Sequence, residues 1–101
     1  MPNSKSSLSV PSLHLNGSSA DALIEQLTEA GHALRQALRA LDDAAPNARD
    51  YYVLGDEAFA KAMREHLSRV ERVRSVLLEV ASIHEVLTDA YDEQRRMRGG
   101  K

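Results

Sequence analysis

The sequence predicts an all-α protein, namely an antiparallel helical hairpin with an extended N-terminal arm that pairs into a dimeric four-helix bundle. Leucines recur every seven residues in the first half of the chain, and apolar residues recur at alternating four- and three-residue spacing through the second half. A proline-containing connection around Pro46 separates the two halves, and the second pattern is longer than the first.

Composition limits the classes of function. The chain has 101 residues, enough for one domain, and its 43% hydrophobic and 28% charged residues are typical of a globular protein. The net charge of −2 argues against a dedicated nucleic-acid binder, and the absence of cysteine excludes disulfides, thiolate metal sites and cysteine nucleophiles. The sequence has no signal-peptide pattern and no apolar stretch of about 20 residues, so we expect a cytoplasmic protein.

Residues 1–18 are predicted to form an extended arm that is partly flexible, because they are rich in Ser, Pro, Asn and Gly. Four apolar residues alternate there with small or polar ones and are the residues expected to lie on the helices: Leu8, Val10, Leu13 and Leu15.

The first helix is predicted over residues 19–45, with Ser18 as its N-cap and Pro46 as its terminator. Its apolar stripe is set by leucines seven residues apart. The stripe comprises Leu27, Leu34 and Leu41 with Leu23, Ala30, Ala37 and Ala44 as companions, and Ile24 and Leu38 at its margin.

The second helix is predicted over residues 56–97, with Asp56 as its N-cap, and residues 98–101 form a flexible basic tail. The two helices make one domain, residues 19–97. The apolar stripe of the second helix comprises Phe59, Met63, His66, Val70, Val73, Leu77, Val80, His84, Leu87 and Tyr91.

The two predicted helices differ in length, and this difference favours self-association. The first helix, about 39 Å long, is expected to cover the second from about Phe59 to the low eighties. Apolar residues that lie beyond or beside this contact form the predicted dimer interface: Val76, Leu78, Ile83, Val86 and Leu87. The alternative is a monomer in which the N-terminal arm covers the same patch.

No catalytic residue, metal site or cofactor is predicted. His66 and His84 lie on the apolar stripe without a carboxylate or imidazole three or four residues away, so both are interpreted as core or boundary histidines. Glu29 and His32 match the E-x-x-H spacing of di-iron bundles only once, and both face outward. No nucleophile elbow, phosphate loop or dinucleotide motif occurs.

The connection between the helices is a candidate partner-binding loop. It combines a turn former, a charge pair and two amphipathic rings, in the residues Asn47, Arg49, Asp50, Tyr51 and Tyr52. Tyr and Arg are frequent hot-spot residues, which favours a recognition tip. In the alternative interpretation the tyrosines cap the end of the hairpin, and Arg49 or Asp50 pins the loop.

The C-terminal end suggests nucleic-acid binding as a further alternative. Its basic residues are Arg95, Arg96, Arg98 and Lys101. Asp92 and Glu93 offset this charge, and basic residues are favoured in a last helical turn in any case.

The motif LHLNG, the loop PNARDYY at residues 46–52, and A-x-x-E-H followed by R-V-x-x-V in the second helix resemble a family of small helical proteins from bacteria and their phages or prophages. That family has no established activity, so the resemblance implies no catalytic role. It implies an accessory protein of a mobile element that inhibits or adapts a host protein complex.

The sequence as a whole predicts a non-catalytic structural or protein-interaction protein that self-associates through its long helix. Its expected partners are a second copy and a further protein, with no membrane and no cofactor.

Overall fold

The computed structural model describes residues 8–12 and 17–99, with side chains described within 8–12 and 20–97. It consists of two antiparallel helices, α1 (Gly17–Asp43) and α2 (Asp56–Gly99), and two short 3₁₀ turns between them (Ala48–Asp50 and Tyr52–Leu54). This confirms the predicted all-α helical hairpin with a short and a long helix.

The helix ends differ from the predicted ones by two residues. Helix α1 begins at Gly17, so Ser18 lies inside the helix instead of capping it. It ends at Asp43, three residues before Pro46, because the residue before a proline is disfavoured in the helical conformation. Helix α2 begins at Asp56 as predicted, and the acidic side chains of its first turn interact favourably with the positive end of the helix dipole. It continues to Gly99, so residues 98 and 99 are helical and not part of a flexible tail as predicted.

The predicted apolar stripe of α2 is the face that packs on the rest of the chain. Every member of the stripe from Phe59 to Tyr91 is buried or half-buried, while the charged residues between them are exposed. His66 and Leu87 are the most buried members, at 5% and 1% exposure. The alternating four- and three-residue spacing therefore identified this face correctly.

Three of the four predicted companions of the α1 leucines are wrong, because Ala30, Ala37 and Ala44 are exposed. The rest of the predicted stripe is half-buried, namely Leu23, Ile24, Leu27, Leu34, Leu38 and Leu41. Ala20 and Gly31, which were not predicted, are buried on the same face. Gly31 lies at the centre of this face.

The predicted register of the hairpin is also wrong. Thr28 Oγ1 of α1 lies 2.9 Å from His84 Nε2 of α2, and eleven residues of α1 precede Thr28. The helices are antiparallel and have the same rise per residue, so the first residue of α1 lies opposite about residue 95 of α2. The contact between the helices therefore extends beyond the low eighties, where it was predicted to end. The loop covers the start of α2 instead, with the rings of Tyr51 and Phe59 5.9 Å apart.

The hairpin is thin and buries little apolar surface. Its extents are 72 × 31 × 17 Å and its radius of gyration is 20.0 Å, against about 13 Å for a compact domain of this length. It exposes 7684 Å², roughly 2,000 Å² more than the ~5,700 Å² expected for a compact 11.1 kDa chain. Among the described apolar side chains, only Ala20 and Leu87 are fully buried.

Gly31 offers a test of the packing between the helices. A methyl group at Gly31 would lie 4.0 Å from Leu77 Cδ1 and 3.6 Å from Arg35 Nη1, both ordinary contacts. Because alanine is favoured over glycine within a helix by about 0.8–1 kcal/mol, we expect Gly31→Ala to raise the free energy of unfolding by up to that amount.

Urea unfolding at fixed protein concentration measures this effect. Gly55→Ala is the control of opposite sign, because Gly55 has φ 102°, a conformation that strains any residue with a side chain. A loss of stability in Gly31→Ala would contradict the ordinary contacts expected for a methyl group at this position.

Candidate interaction surfaces

One side of α2 carries a line of uncharged residues that the hairpin leaves open. Val76 and Ile83 lie seven residues apart on this side, followed by Ala90 and Met97 at the same spacing. Val76 is 46% exposed and Met97 71% exposed, whereas Ile83 is half-buried. Val86, 49% exposed, lies one turn from Ile83 and extends the surface outward. We refer to Val76, Ile83 and Val86 as the apolar flank.

Two residues of the predicted interface lie elsewhere. Leu87 is 1% exposed and belongs to the core within one chain, so it is not available to a second copy. Leu78 is 61% exposed but follows Val76 by two residues, which turns it about 200° around the helix. The apolar flank is therefore exposed because it lies on a side of α2 that α1 does not cover. It is not exposed because α2 extends beyond the end of α1, as the sequence predicted.

Two of the residues that the N-terminal arm was expected to cover, Leu78 and Val86, are exposed, whereas Ile83 is half-buried. In the arm itself, Leu8 is half-buried and Val10 is 37% exposed. The other two predicted contact residues of the arm, Leu13 and Leu15, lie outside the described residues.

The connecting loop is held in shape by backbone hydrogen bonds and one side chain. Asn47 Oδ1 accepts from the Arg49 N–H at 2.9 Å, and the Asn47 carbonyl oxygen accepts from the Asp50 N–H at 2.9 Å. A second turn follows, with the Leu54 N–H donating to the Tyr51 carbonyl oxygen at 2.9 Å. Among these loop contacts, the pinning side chain is Asn47 rather than the predicted Arg49 or Asp50.

The two tyrosines of the loop have different environments. Tyr51 is half-buried against Phe59, as a structural cap should be. Tyr52 points away and is 77% exposed, and Val53 and Leu54 beside it are 75% and 68% exposed. We refer to Tyr52, Val53 and Leu54 as the tip. The sequence reasoning missed the last two, although two aliphatic residues next to a loop glycine were the available signal.

The side of the hairpin opposite the apolar flank contains a polar groove of about 150 Å³ between α1 and α2. Thr28, His32 and Arg35 of α1 and His84 of α2 line it, over a floor that includes Leu27 and Leu77. Thr28 Oγ1 donates to the Ile24 carbonyl oxygen at 2.9 Å and therefore accepts from His84 Nε2–H.

This hydrogen bond gives a second test. We expect Thr28→Val to lower the free energy of unfolding by about 1 kcal/mol, because it removes the acceptor of His84 while nearly keeping the shape of the side chain. Thr28→Ser keeps the hydroxyl and should lose clearly less. Thermal and urea unfolding measure the difference, and equal losses in the two variants would show that the hydrogen bond contributes nothing.

The two histidines of the α2 stripe, His66 and His84, lie far apart. His84 bonds across the hairpin to Thr28, and His66 is buried 18 residues earlier on the same helix, about 27 Å away. Glu29 and His32 are both exposed. In the part of the chain that the structure describes, no group of three His, Asp or Glu side chains is arranged to hold a metal ion.

Two of the C-terminal basic residues already have partners. The Arg95 guanidinium lies 5.8 Å from the ring centre of Tyr91, and Arg96 Nη2 lies 2.9 Å from Glu93 Oε1. The side chain of Arg98 and the whole of Lys101 lie outside the described residues.

Comparisons with protein families, with curated proteins and with solved structures found no match. The resemblance of the PNARDYY loop to a family from bacteria and phages stays a prediction. Neither helix of the described chain is long and apolar enough to cross a membrane.

Proposed function

We propose that this chain is a non-catalytic protein-interaction module that works as a homodimer and presents its tip to a protein partner. The observation that supports this most strongly is the imbalance between core and surface. Only two apolar side chains of the described residues are fully buried, while the apolar flank lies open along α2. A second copy would remove the exposed part of this flank from water. Full burial of an exposed large aliphatic side chain gains about 1.5–3 kcal/mol, and these side chains, about half exposed or less, would gain at most about half of that.

The surface area agrees with this proposal. The chain exposes roughly 2,000 Å² more than a compact chain of its mass. Obligate homodimers bury about 2,000–5,000 Å² in total over the two partners. A pair of hairpins therefore has enough spare surface for a stable interface, and two hairpins side by side give a four-helix bundle.

The tip supports a separate contact with another protein. Three consecutive large apolar residues are more than two-thirds exposed on a loop held by its own hydrogen bonds. A preorganised apolar loop loses little entropy on binding, and exposed apolar clusters of this kind mark interaction sites. The resemblance to phage-associated proteins suggests a host protein complex as the partner.

Affinity capture from the native host tests the role of the tip. We expect the native chain to retain a defined protein that the variant V53S/L54S loses by at least tenfold, because two apolar anchors are removed. Its dimerisation should be unchanged, since the tip lies outside the apolar flank. Arg49→Ala on the same loop is the control for a charge contact. Equal capture by the native chain and V53S/L54S would remove the tip from the proposal.

A second candidate function, architectural nucleic-acid binding, is favoured by one observation. An open surface on the first half of α2 is lined by four basic residues, Lys61, Arg64, Arg69 and Arg72, with Glu65 and Ser68 between them. Retention on DNA or RNA that weakens steeply with salt, and that is lost when Arg69 and Arg72 are replaced by alanine, would favour this function. Removal of residues 95–101 tests the C-terminal basic residues separately.

A further inference from the structure

The charges of α2 are segregated along its length. Residues 61–74 carry five basic and two acidic side chains, a net charge of +3, and residues 79–93 carry five acidic side chains and no basic one. The basic members are Lys61, Arg64, Arg69, Arg72 and Arg74, and the acidic members of the second block are Glu79, Glu85, Asp89, Asp92 and Glu93.

The short helix strengthens the acidic block. Because Thr28 lies against His84, the start of α1 runs alongside residues 79–93 of α2. This part of α1 adds Asp21, Glu25 and Glu29, while Arg95, Arg96 and Arg98 follow at the end of α2, so that half of the hairpin has a net charge of −5. Next to the basic block, α1 contributes Arg35 and Arg39 together with Asp42 and Asp43, which cancel.

The geometry of the hairpin assigns the apolar flank to one side of the molecule. The polar groove is lined by Ala81 and His84 of α2, with Thr28 and Arg35 of α1. Residues such as Val76 and Ile83 lie on the other side of the core stripe from Ala81, so they face away from this groove. On the same side α1 presents Ala30 and Ala37, whose small side chains allow close approach. These four positions are uncharged, and Glu79, one turn from both Val76 and Ile83, is a charged side chain among them.

Building on the proposed self-association, we infer that two copies pack antiparallel through this side, with the two-fold axis between residues 77 and 80 of α2. Two independent features give this position. The midpoint between the basic and acidic blocks is about residue 77, and the midpoint of the Val76–Ile83 pair is between 79 and 80. The two estimates differ by less than one helical turn.

In this arrangement, charges of opposite sign face each other. The acidic end of each hairpin, near residues 85–93, lies against the basic stretch near residues 66–74 of the other copy. A parallel pair would set the two acidic ends, −5 each, side by side, which like-charge repulsion opposes. The occupant of the apolar flank is therefore a second copy in reversed orientation.

The antiparallel arrangement fixes where the two tips lie. Each tip is at the start of α2, about 22 residues from the axis, so the two tips stand about 65–70 Å apart at opposite ends of the dimer. A parallel pair would hold both tips at one end, within about 30 Å, because packed helix axes are only about 8–10 Å apart.

A spin-label distance measurement on the full chain decides between these arrangements. The chain has no cysteine, so single substitutions carry one label each. Val53→Cys reports the distance between the tips, and Glu79→Cys, close to the axis, reports the dimer itself. We expect about 65–70 Å for Val53→Cys and less than about 30 Å for Glu79→Cys.

The outcomes separate this inference from the proposed function. Short distances at both positions would show a dimer with parallel tips and would overturn the antiparallel arrangement alone. No dipolar signal from Glu79→Cys at concentrations of about 100 µM would show that the chain does not pair, and would overturn both. A tip distance in the predicted range that is lost when salt rises would support both the orientation and its electrostatic origin.

Discussion

Replacing Leu87 with alanine is expected to lower the free energy of unfolding by about 3 kcal/mol. Leu87 is 1% exposed, and a buried Leu→Ala substitution loses the transfer free energy of the removed methyl groups and leaves a cavity, at a cost of about 2–5 kcal/mol. Typical domains have only about 5–15 kcal/mol in total, and this hairpin has just one other fully buried apolar side chain, Ala20. The substitution should therefore remove a large share of the stability.

Leu67→Ala is the matched control. Leu67 is a leucine of the same helix, 57% exposed and on the side away from the apolar flank, so its loss should cost less than about 0.5 kcal/mol. Urea unfolding followed by circular dichroism measures both variants, at equal protein concentration because dimer stability depends on it. If the two alanine variants lose the same stability, Leu87 is not the centre of the core.

The second large effect concerns self-association. Val76→Asp is expected to weaken the dimer at least 100-fold, because each dimer would contain two carboxylates in an apolar contact. Each new carboxylate would also lie one turn from Glu79, which adds like-charge repulsion. Ile83→Lys, seven residues further along the flank, should act in the same direction.

The control for this effect is Leu78→Asp. It makes the same chemical change two residues away, at a site that is 61% exposed but turned to the other side of α2. We expect its dimerisation constant to change less than about threefold. Sedimentation velocity over a range of concentrations compares the two variants. Equal weakening by both would mean that the interface is not confined to the apolar flank.

The sequence predicted the face of α2 in full and that of α1 in part, since its large apolar residues were placed correctly and its alanines were not. In α2 the stripe from Phe59 to Tyr91 consists of large apolar side chains at every position except the two histidines, so only one face of the helix fits the pattern. In α1, Leu27, Leu34 and Leu41 are compatible with two neighbouring phases. The residues that distinguish the phases are alanines, which carry little signal, and Gly31, which carries none. The structure places Gly31 against α2 and the alanines in solvent.

The register was beyond the reach of a pattern argument. Antiparallel helices with seven-residue repeats pack acceptably at several offsets, and only specific contacts such as Thr28 with His84 choose one. The spacing of apolar residues also does not reveal the path of the connection, in which two 3₁₀ turns fold the chain back over the start of α2. This is why the apolar surplus was expected at an uncovered helix end and is found on a side.

The loop was recognised as distinctive, but its exposed residues were only partly identified. The two rings of Tyr51 and Tyr52 looked equivalent in the sequence, and packing on Phe59 separates them. Val53 and Leu54 were not singled out in the connection, and both are exposed next to Gly55, whose φ is 102°. Which residues of the tip are exposed therefore depends on the backbone angles of the turn, which the sequence pattern does not give.

Sedimentation equilibrium of the native chain measures directly whether the chain forms the proposed homodimer. Between about 1 and 100 µM, we expect a mass of twice the 11.1 kDa of one chain, with the unfolding midpoint rising as protein concentration rises. A mass of 11.1 kDa over the whole range, with cooperative unfolding that does not depend on concentration, would show that the lone hairpin is stable with its apolar flank bare, and would contradict the account.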